Sequence, residues 1–327
     1  MTNANKNLHQ AKRAKKDEFY TQLTDVESEL FHYRHHFKDK VVYLNCDDPV
    51  ESAFWTYFSL NFDFFGLKQL TSTHYDPDKP TYRLDLYEYD TEPVKTPLEG
   101  NGDFRNPESI KILEEADVVV TNPPFSLFRE YLAQLIEYGK EFVIMGSLNA
   151  ITYKEVFPLI KDGKIWLGIQ SGAMTFKIPK DRAGKVSSAW TDENGVSWQK
   201  LGNIVWFTNL DHKRRHEEIL LWTSYNPDLH PKYDNYDAIE VSRVKDIPDG
   251  YTGAMGVPIT FLGRHNPDQF EILGSRRWAK KQELLDLYCG EVDPPENDKK
   301  TLIDGRETYD RIFIRHRNPA VSQPLAA

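Results

Sequence analysis

The sequence predicts an α/β fold: a doubly wound mixed sheet followed by an α+β C-terminal region. Three observations predict it. Val41-Val42-Tyr43-Leu44, Val118-Val119-Val120 and Phe142-Val143-Ile144-Met145 are short β-branched and aromatic runs that read as buried strands. Stretches with apolar residues at helical spacing separate them, and such alternation is the pattern of a doubly wound sheet with parallel strands. After residue 160 the texture changes to strand-like pieces joined by polar loops.

The elements follow in order. Residues 1–16 carry Lys6, Lys12, Arg13, Lys15 and Lys16 with no acid and read as a basic tail. Thr24-Asp25-Val26-Glu27 has the spacing of a capping box, which predicts a helix running to Phe37. The strand at 41–44 ends in Asn45-Cys46-Asp47-Asp48-Pro49. Asp48 suits an N-cap and Pro49 the first helical position, with a helix over 51–59. Strands are predicted over 66–73 and 82–87. Pro93, Pro97, Gly100, Gly102 and Pro107 make 90–109 a loop. Leu127, Phe128, Tyr131, Leu132, Leu135 and Ile136 repeat at helical spacing up to Gly139, a suitable C-terminal stop.

Beyond 160, strands are predicted at 165–170, 173–178, 204–207 and 219–222, with a long loop over 179–202. The Pro-, Asn- and Asp-rich stretch 225–236 marks a boundary, giving a catalytic domain over 1–225 and a recognition region over 226–327. The latter shows strand-like pieces at 239–244, 259–262, 270–273 and 312–315 and one helix at 279–288.

Composition narrows the class. The chain has 327 residues, 39% hydrophobic and 13% aromatic, which supports a real core and excludes disorder throughout. Lys+Arg is 41 against Asp+Glu 50, a formal charge of -9, which excludes a uniformly basic binder but not a local basic face. Two cysteines, Cys46 and Cys289, exclude a disulfide framework and a multi-Cys zinc site. No long apolar run predicts a membrane span, and the basic N-terminus lacks the apolar core of a secretory signal. A reducing cytoplasm is the expected compartment.

Asn122-Pro123-Pro124-Phe125 carries the chemistry. It follows a buried strand and precedes an amphipathic helix, the place where ligands bind in doubly wound sheets. The pattern suits methyl transfer to an exocyclic amine of a nucleobase. That nitrogen is a poor nucleophile because its lone pair is delocalised into the ring. Acceptors on both N–H groups draw it toward tetrahedral geometry; the Asn122 side-chain oxygen and the Pro123 carbonyl supply them. The prolines fix φ and remove competing donors, so the loop is rigid and acceptor-rich. Phe125 offers a face on which an extruded base stacks.

Asn-Pro-Pro-Phe in this context resembles the amine-methylating signature of S-adenosylmethionine-dependent methyltransferases. Lys15-Lys16-Asp17-Glu18-Phe19-Tyr20-Thr21-Gln22, the turn from Tyr43 to Pro49, and Met255-Gly256-Val257-Pro258-Ile259-Thr260-Phe261-Leu262 resemble EcoRI-type adenine-specific DNA methyltransferases. The resemblance runs from about Lys15 to Arg317. It implies the Rossmann-like S-adenosylmethionine-dependent methyltransferase fold. It implies a cofactor site in which Phe19, Tyr20 and Thr21 lie beside the methionine end and Asn45, Cys46 and Asp47 form the turn after the first strand. Asp103 and Phe104 resemble the acidic–aromatic pair that contacts the adenosine, and Asn122, Pro123, Pro124 and Phe125 form the catalytic loop. One departure stands out: the turn after the first strand reads Asn-Cys-Asp-Asp, where most methyltransferases are Gly-rich. Of its two acids, Asp48 suits the helix cap and Asp47 the ligand.

The function implied is N6-methylation of an adenine flipped out of double-stranded DNA. A separate cognate restriction endonuclease is a possible partner; no metal, membrane or oligomer is required, and the setting is the cytoplasm of a bacterial or phage-infected cell. His32, His35 and His36 read as a solvated face rather than a metal site. Basic clusters at Lys213-Arg214-Arg215, Arg276-Arg277 beside Trp278, Lys280-Lys281, and Arg315 with Arg317 suggest a positive groove for phosphates. Lys180, Arg182, Lys185 and Ser187 place a DNA-contacting loop over about 180–200, and Arg264 and Asn266 are candidates for base-edge readout. Alternatives are methylation of cytosine N4, an RNA base or a protein glutamine, or a non-catalytic DNA-binding module on the same fold. A nicotinamide-dependent oxidoreductase is disfavoured because no Gly-x-Gly-x-x-Gly turn is present.

Overall fold

Strand β1 (Val41–Leu44) is buried at all four positions, and its neighbours explain why. It pairs in parallel with β2 (Gln69–Thr73) on one side and β5 (Val118–Thr121) on the other, and β5 pairs in parallel with β6 (Glu141–Ser147). Both faces of these strands are covered, so β1 and the centres of β5 and β6 are apolar without alternation, while β2 buries Thr71, Ser72 and Thr73. The computed structural model describes residues 20–46, 49–50, 52–76, 80–180, 187–275, 287–289 and 300–318.

The large sheet is mixed. Antiparallel β3 (Tyr82–Leu86) and β4 (Val94–Pro97) extend it beyond β2. Antiparallel β9 (Ser197–Thr208) and β7 (Trp166–Lys177) extend it beyond β6, giving the order β4-β3-β2-β1-β5-β6-β9-β7, with β8 (Ala189–Thr191) also on β9. The chain therefore starts near the middle, winds outward through β2, and returns to the other side of β1 at β5. A crevice opens where the winding reverses, at the carboxyl ends of β1 and β5.

Helix α1 (Leu23–Leu30) gives Val26 and Leu30 to the main core, and α2 (Ala53–Leu60) and α3 (Phe62–Phe65) give it aromatic residues. Phe37 meets Phe58 and Phe65 edge-on at 5.1 and 5.3 Å. Glu29 on α1 is buried and accepts bonds from the Ile169 and Gln170 amides, where β7 shifts register, and from the Tyr33 hydroxyl. Helix α4 (Pro107–Glu115) precedes β5, and α5 (Phe128–Glu137) buries Phe128, Tyr131, Leu132 and Leu135. Gly139 lies at φ +60°, as the predicted stop requires.

Several expectations are corrected. Helix α1 begins at Leu23 with Gln22 as its N-cap and no side-chain cap bond, so the Thr24 capping box does not form; Phe31–His36 continues as a 3-10 helix. Ser52 caps α2 by accepting from the Phe54 and Trp55 amides, while Asp48 lies outside the described residues. The loop predicted over 90–109 contains β4, an exposed edge strand closed by Pro97, which an edge tolerates. The loop predicted over 179–202 contains β8 and the first half of β9. Their turn is held by Asp192, which accepts from the Asn194, Val196 and Trp198 N–H groups, with Gly195 at φ +75°.

Two compact units divide the chain, one drawn from Met1–Ala150 and Ile165–His212 and the other from Ile151–Lys164 and Lys213–Ala327. In the second unit β10 (Ala238–Glu240), β11 (Ala254–Pro258), β12 (Phe270–Ser275) and β13 (Arg311–His316) form a sheet in the order β10-β11-β13-β12. Arg311 pairs with buried Glu240 at 2.9 Å, and the Tyr233 hydroxyl donates to the same carboxylate. The predicted strand at 259–262 is a 3-10 helix, Ile259–Arg264. Residues 219–222 belong to no strand, and Leu220 and Trp222 are 64% and 82% exposed among the described residues. The helix predicted at 279–288 lies mostly outside the described residues. No described helix is long and apolar enough to cross a membrane.

Candidate active site

Four sequence segments converge at the crevice. Asn45 and Cys46 follow β1, Asn122-Pro123-Pro124-Phe125 follows β5, Gly102-Asp103-Phe104 precedes α4, and Tyr20-Thr21 lies along β7. Tyr20 is fixed by a reciprocal backbone pair with Lys177, at 3.0 and 3.1 Å.

That pairing delivers Thr21 to Asn122. Both are buried, and the Asn122 amide nitrogen donates to Thr21 Oγ1 at 3.3 Å. The Thr21 hydroxyl donates in turn to Met145 Sδ at 3.3 Å, from the adjoining strand β6. The amide is thereby oriented, nitrogen toward Thr21. Pro123 is buried, and its carbonyl accepts no hydrogen bond among the described residues, whereas the Pro124 carbonyl takes the Leu127 amide at 2.9 Å. Phe125 is half-buried and opens a short 3-10 turn, Phe125–Leu127, with part of its ring against the core.

Beside this loop is a pocket lined by Asn45, Cys46, Tyr75, Gly102, Asp103, Phe104, Pro124 and Leu127. It holds about 320 Å³ of empty space counted out to its open mouth. Tyr131 of α5 stands behind it. Burial raises the Tyr131 phenol well above its ordinary range, so the group stays protonated and donates to Asn45 Oδ1. The Asn45 amide nitrogen is left as a donor for a ligand. Phe104 packs edge-on against Tyr131 at 5.0 Å.

Asp103 is held by Arg105, at 2.6 and 2.9 Å to its two oxygens, and its own amide is taken by Asn101 Oδ1 at 3.1 Å. Those bonds, led by the Asp103 carboxylate, raise the Arg105 guanidinium and keep the pair charged. Gly102 at φ +73° brings this loop against the His74 carbonyl, where a Cβ would sit 2.1 Å from the oxygen. No L side chain fits there.

Thr21, Asn45, Cys46, Asp103, Phe104 and the Asn122–Phe125 loop thus come together. Phe19, Asp47, Arg182, Lys185, Arg276 and Arg277 lie outside the described residues. Lys180, Ser187 and Arg264 are exposed. Asn266 is buried; its carboxamide donates to the Glu217 carbonyl at 3.3 Å and accepts from the Asp268 amide at 2.9 Å, a structural use inside the second unit. Tyr131, Gly102, Arg105 and Met145 were not singled out as site residues from sequence; a hydroxyl tip on an otherwise apolar helix face was the signal for Tyr131. No cluster of three His, Cys, Asp or Glu among the described residues is arranged to hold a metal. His36 bonds the Asp211 carbonyl at 2.8 Å.

A mixed α/β sheet with a ligand pocket at the reversal of its winding, and an acceptor-rich Asn-Pro-Pro-Phe loop at its rim, defines an amine-methylating transferase. Comparison with known proteins agrees. The model of the family described as adenine-specific methyltransferase EcoRI matches residues 7–317, and this chain belongs to that family. It is 48% identical over 333 residues to the Type II methyltransferase M.EcoRI of Escherichia coli, covering 96% of this chain and 97% of that protein. It is 39% identical to the Type II methyltransferase M.MpnI of Mycoplasma pneumoniae, covering 96% and 99%, and 38% identical to the Type II methyltransferase M.MgeORF184P of Mycoplasma genitalium, covering 94% and 98%. No solved structure matches the chain.

Proposed function

We propose that the protein is a site-specific DNA adenine N6-methyltransferase of restriction–modification type that uses S-adenosylmethionine and acts on an adenine flipped out of double-stranded DNA. The cofactor supplies a methyl carbon made electrophilic by a sulfonium. The observation that carries the reading is the Asn122–Pro123 pair, an oriented carboxamide and a carbonyl that no described residue engages, in the loop whose next residue, Pro124, lines the pocket.

The pocket's chemistry fits a nucleoside-bearing cofactor. Phe104, Pro124 and Leu127 offer apolar contact to a purine, and Asn45 offers a donor. Asp103 contributes its loop as well as its charge, since Arg105 already pairs the carboxylate. The strand order, with its reversal between β1 and β5, supports the Rossmann-like reading.

In the reaction, the Pro123 carbonyl and the Asn122 oxygen accept the two N–H groups of the adenine amine. This concentrates the nitrogen lone pair on one side. Thr21 holds the carboxamide in the required rotamer, and Phe125 covers part of the base. No strong base is needed, because the methylated ammonium is acidic. The second unit, with Arg264 exposed on it, is assigned to DNA recognition. The protein acts alone on DNA, in the cytoplasm, alongside any endonuclease of the same specificity.

Mass spectrometry of nucleosides from DNA incubated with the protein and S-adenosylmethionine tests this. N6-methyladenine is expected. N4-methylcytosine, or no base modification at all, would refute the assignment.

A further inference from the structure

The second unit contains an open cleft of about 470 Å³. We propose that this cleft, formed by Arg214, Glu217, Glu218, Trp222, Lys245 and Arg264, contacts base edges of the duplex and sets the methylated sequence. The inference rests on the DNA methylation proposed above and deepens it.

The segment forming one wall is built to present side chains outward. Asn266 and Gln269 clamp its backbone from the turn after Arg264. Asn266 donates to the Glu217 carbonyl at 3.3 Å. The Gln269 carboxamide bonds both the amide and the carbonyl of Ile219, at 2.8 and 2.9 Å, as a neighbouring strand would. Exposure then alternates along the ribbon: Glu218, Leu220, Trp222 and Ser224 point to solvent, while 219, 221 and 223 are half-buried. Leu220 and Trp222, at 64% and 82% exposed, form an apolar ridge that no described residue covers.

The charges around that ridge are mixed. Arg264 and Lys245 are exposed and make no hydrogen bond or ion pair among the described residues. Glu217 and Glu218 line the same cleft. A groove made only to hold phosphates would exclude carboxylates, because both carry negative charge. Base edges, in contrast, present donors and acceptors side by side. An arginine fork matches the two acceptors of guanine, a carboxylate accepts from the cytosine amine, and an apolar side chain meets the thymine methyl. The lining suits that mixture.

The test uses the full-length protein and a set of duplexes carrying the methylated site with each base pair replaced singly. Methyl incorporation gives kcat/KM for each. Wild-type protein fixes the preferred sequence; failure to methylate any duplex would fall on the proposed function and not on this cleft. Arg264→Ala is expected to lower kcat/KM on the preferred site by about 10- to 100-fold and to flatten the preference at one base pair. Trp222→Ala is expected to lower kcat/KM on the preferred site and to flatten the preference at a second base pair. Arg264→Lys keeps the charge but not the fork, so discrimination should stay lost. Preserved wild-type ratios in Arg264→Ala, or full restoration by Arg264→Lys, would overturn the proposal. Titration with S-adenosylmethionine checks that each variant is folded.

Discussion

Thr21 Oγ1 lies 3.3 Å from the amide nitrogen of Asn122, across 101 residues of sequence. Because the Thr21 hydroxyl proton is directed at Met145 Sδ, the threonine serves Asn122 as an acceptor. The carboxamide is thus fixed with its nitrogen inward. Thr21→Val preserves shape and removes the acceptor. Loss of one such bond is worth roughly 1 kcal/mol. We expect kcat to fall about fivefold with little change in KM for DNA, and Thr21→Ser to restore it. Single-turnover methylation measures both.

Asn122→Ala removes the acceptor itself while leaving the pocket lining, which does not include Asn122, intact. Cofactor binding by calorimetric titration should persist. Turnover should drop on the order of 10²–10³-fold, the range seen when one positioned hydrogen-bonding group is removed from a reacting centre. An alanine variant with normal turnover would contradict the assigned role of the loop.

Tyr131 and Asn45 make the second internal contact of the site, between α5 and the end of β1. Tyr131→Phe keeps the edge contact with Phe104 but leaves buried Asn45 Oδ1 with the weak Cys46 thiol donor alone, at 3.6 Å. A stability loss of about 1–3 kcal/mol is expected by urea denaturation. Binding of S-adenosylmethionine should weaken as well, since the freed carboxamide can rotate its nitrogen away from the pocket.

The strand Val118–Thr121 and the position of the Asn122–Phe125 loop after it were legible because short apolar runs bounded by Asn-Pro-Pro-Phe leave few alternatives. Thr21 and Phe104 joined the site through family resemblance, since nothing in local pattern ties residue 21 to residue 122. What escaped was set by tertiary context. Val94–Pro97 is exposed and ends in proline, so it carries no strand pattern; only pairing with β3 makes it one. The β8–β9 hairpin did carry a signal, Asn194-Gly195, hidden inside a stretch that composition marked as loop. Conversely, 219–222 has strand composition but is held by the Gln269 side chain instead of by a strand.

Gly102 fixes the approach of the Asp103–Phe104 loop to His74 at φ +73°. Gly102→Ala would force a Cβ to within 2.1 Å of the His74 carbonyl oxygen, which is backbone and cannot swing aside. The loop must shift, carrying Asp103 and Phe104 with it. Weaker cofactor binding and a lower melting temperature are expected together, and the variant should lose more than the gain of up to about 1 kcal/mol that alanine gives where it fits. A variant that melts and binds as the parent does would show that the loop tolerates the displacement.

Acid should weaken the second unit through His265. Burial, helped by the nearby Arg215 and Arg317 charges, lowers its pKa below 6.5 and outweighs the bond its Nε2 donates to the Phe270 carbonyl at 2.9 Å, so the folded state favours the neutral ring. The unfolded chain binds the proton more readily. Stability is therefore fully present above pH 6.5 and declines as pH falls from there through the lower folded value. His316, also lowered by burial, acts in the same direction. His265→Gln keeps a donor for Phe270 and cannot charge. Urea denaturation at pH values on both sides of the histidine range should show a steeper acid loss for the parent than for this variant; equal slopes would assign the loss to other groups.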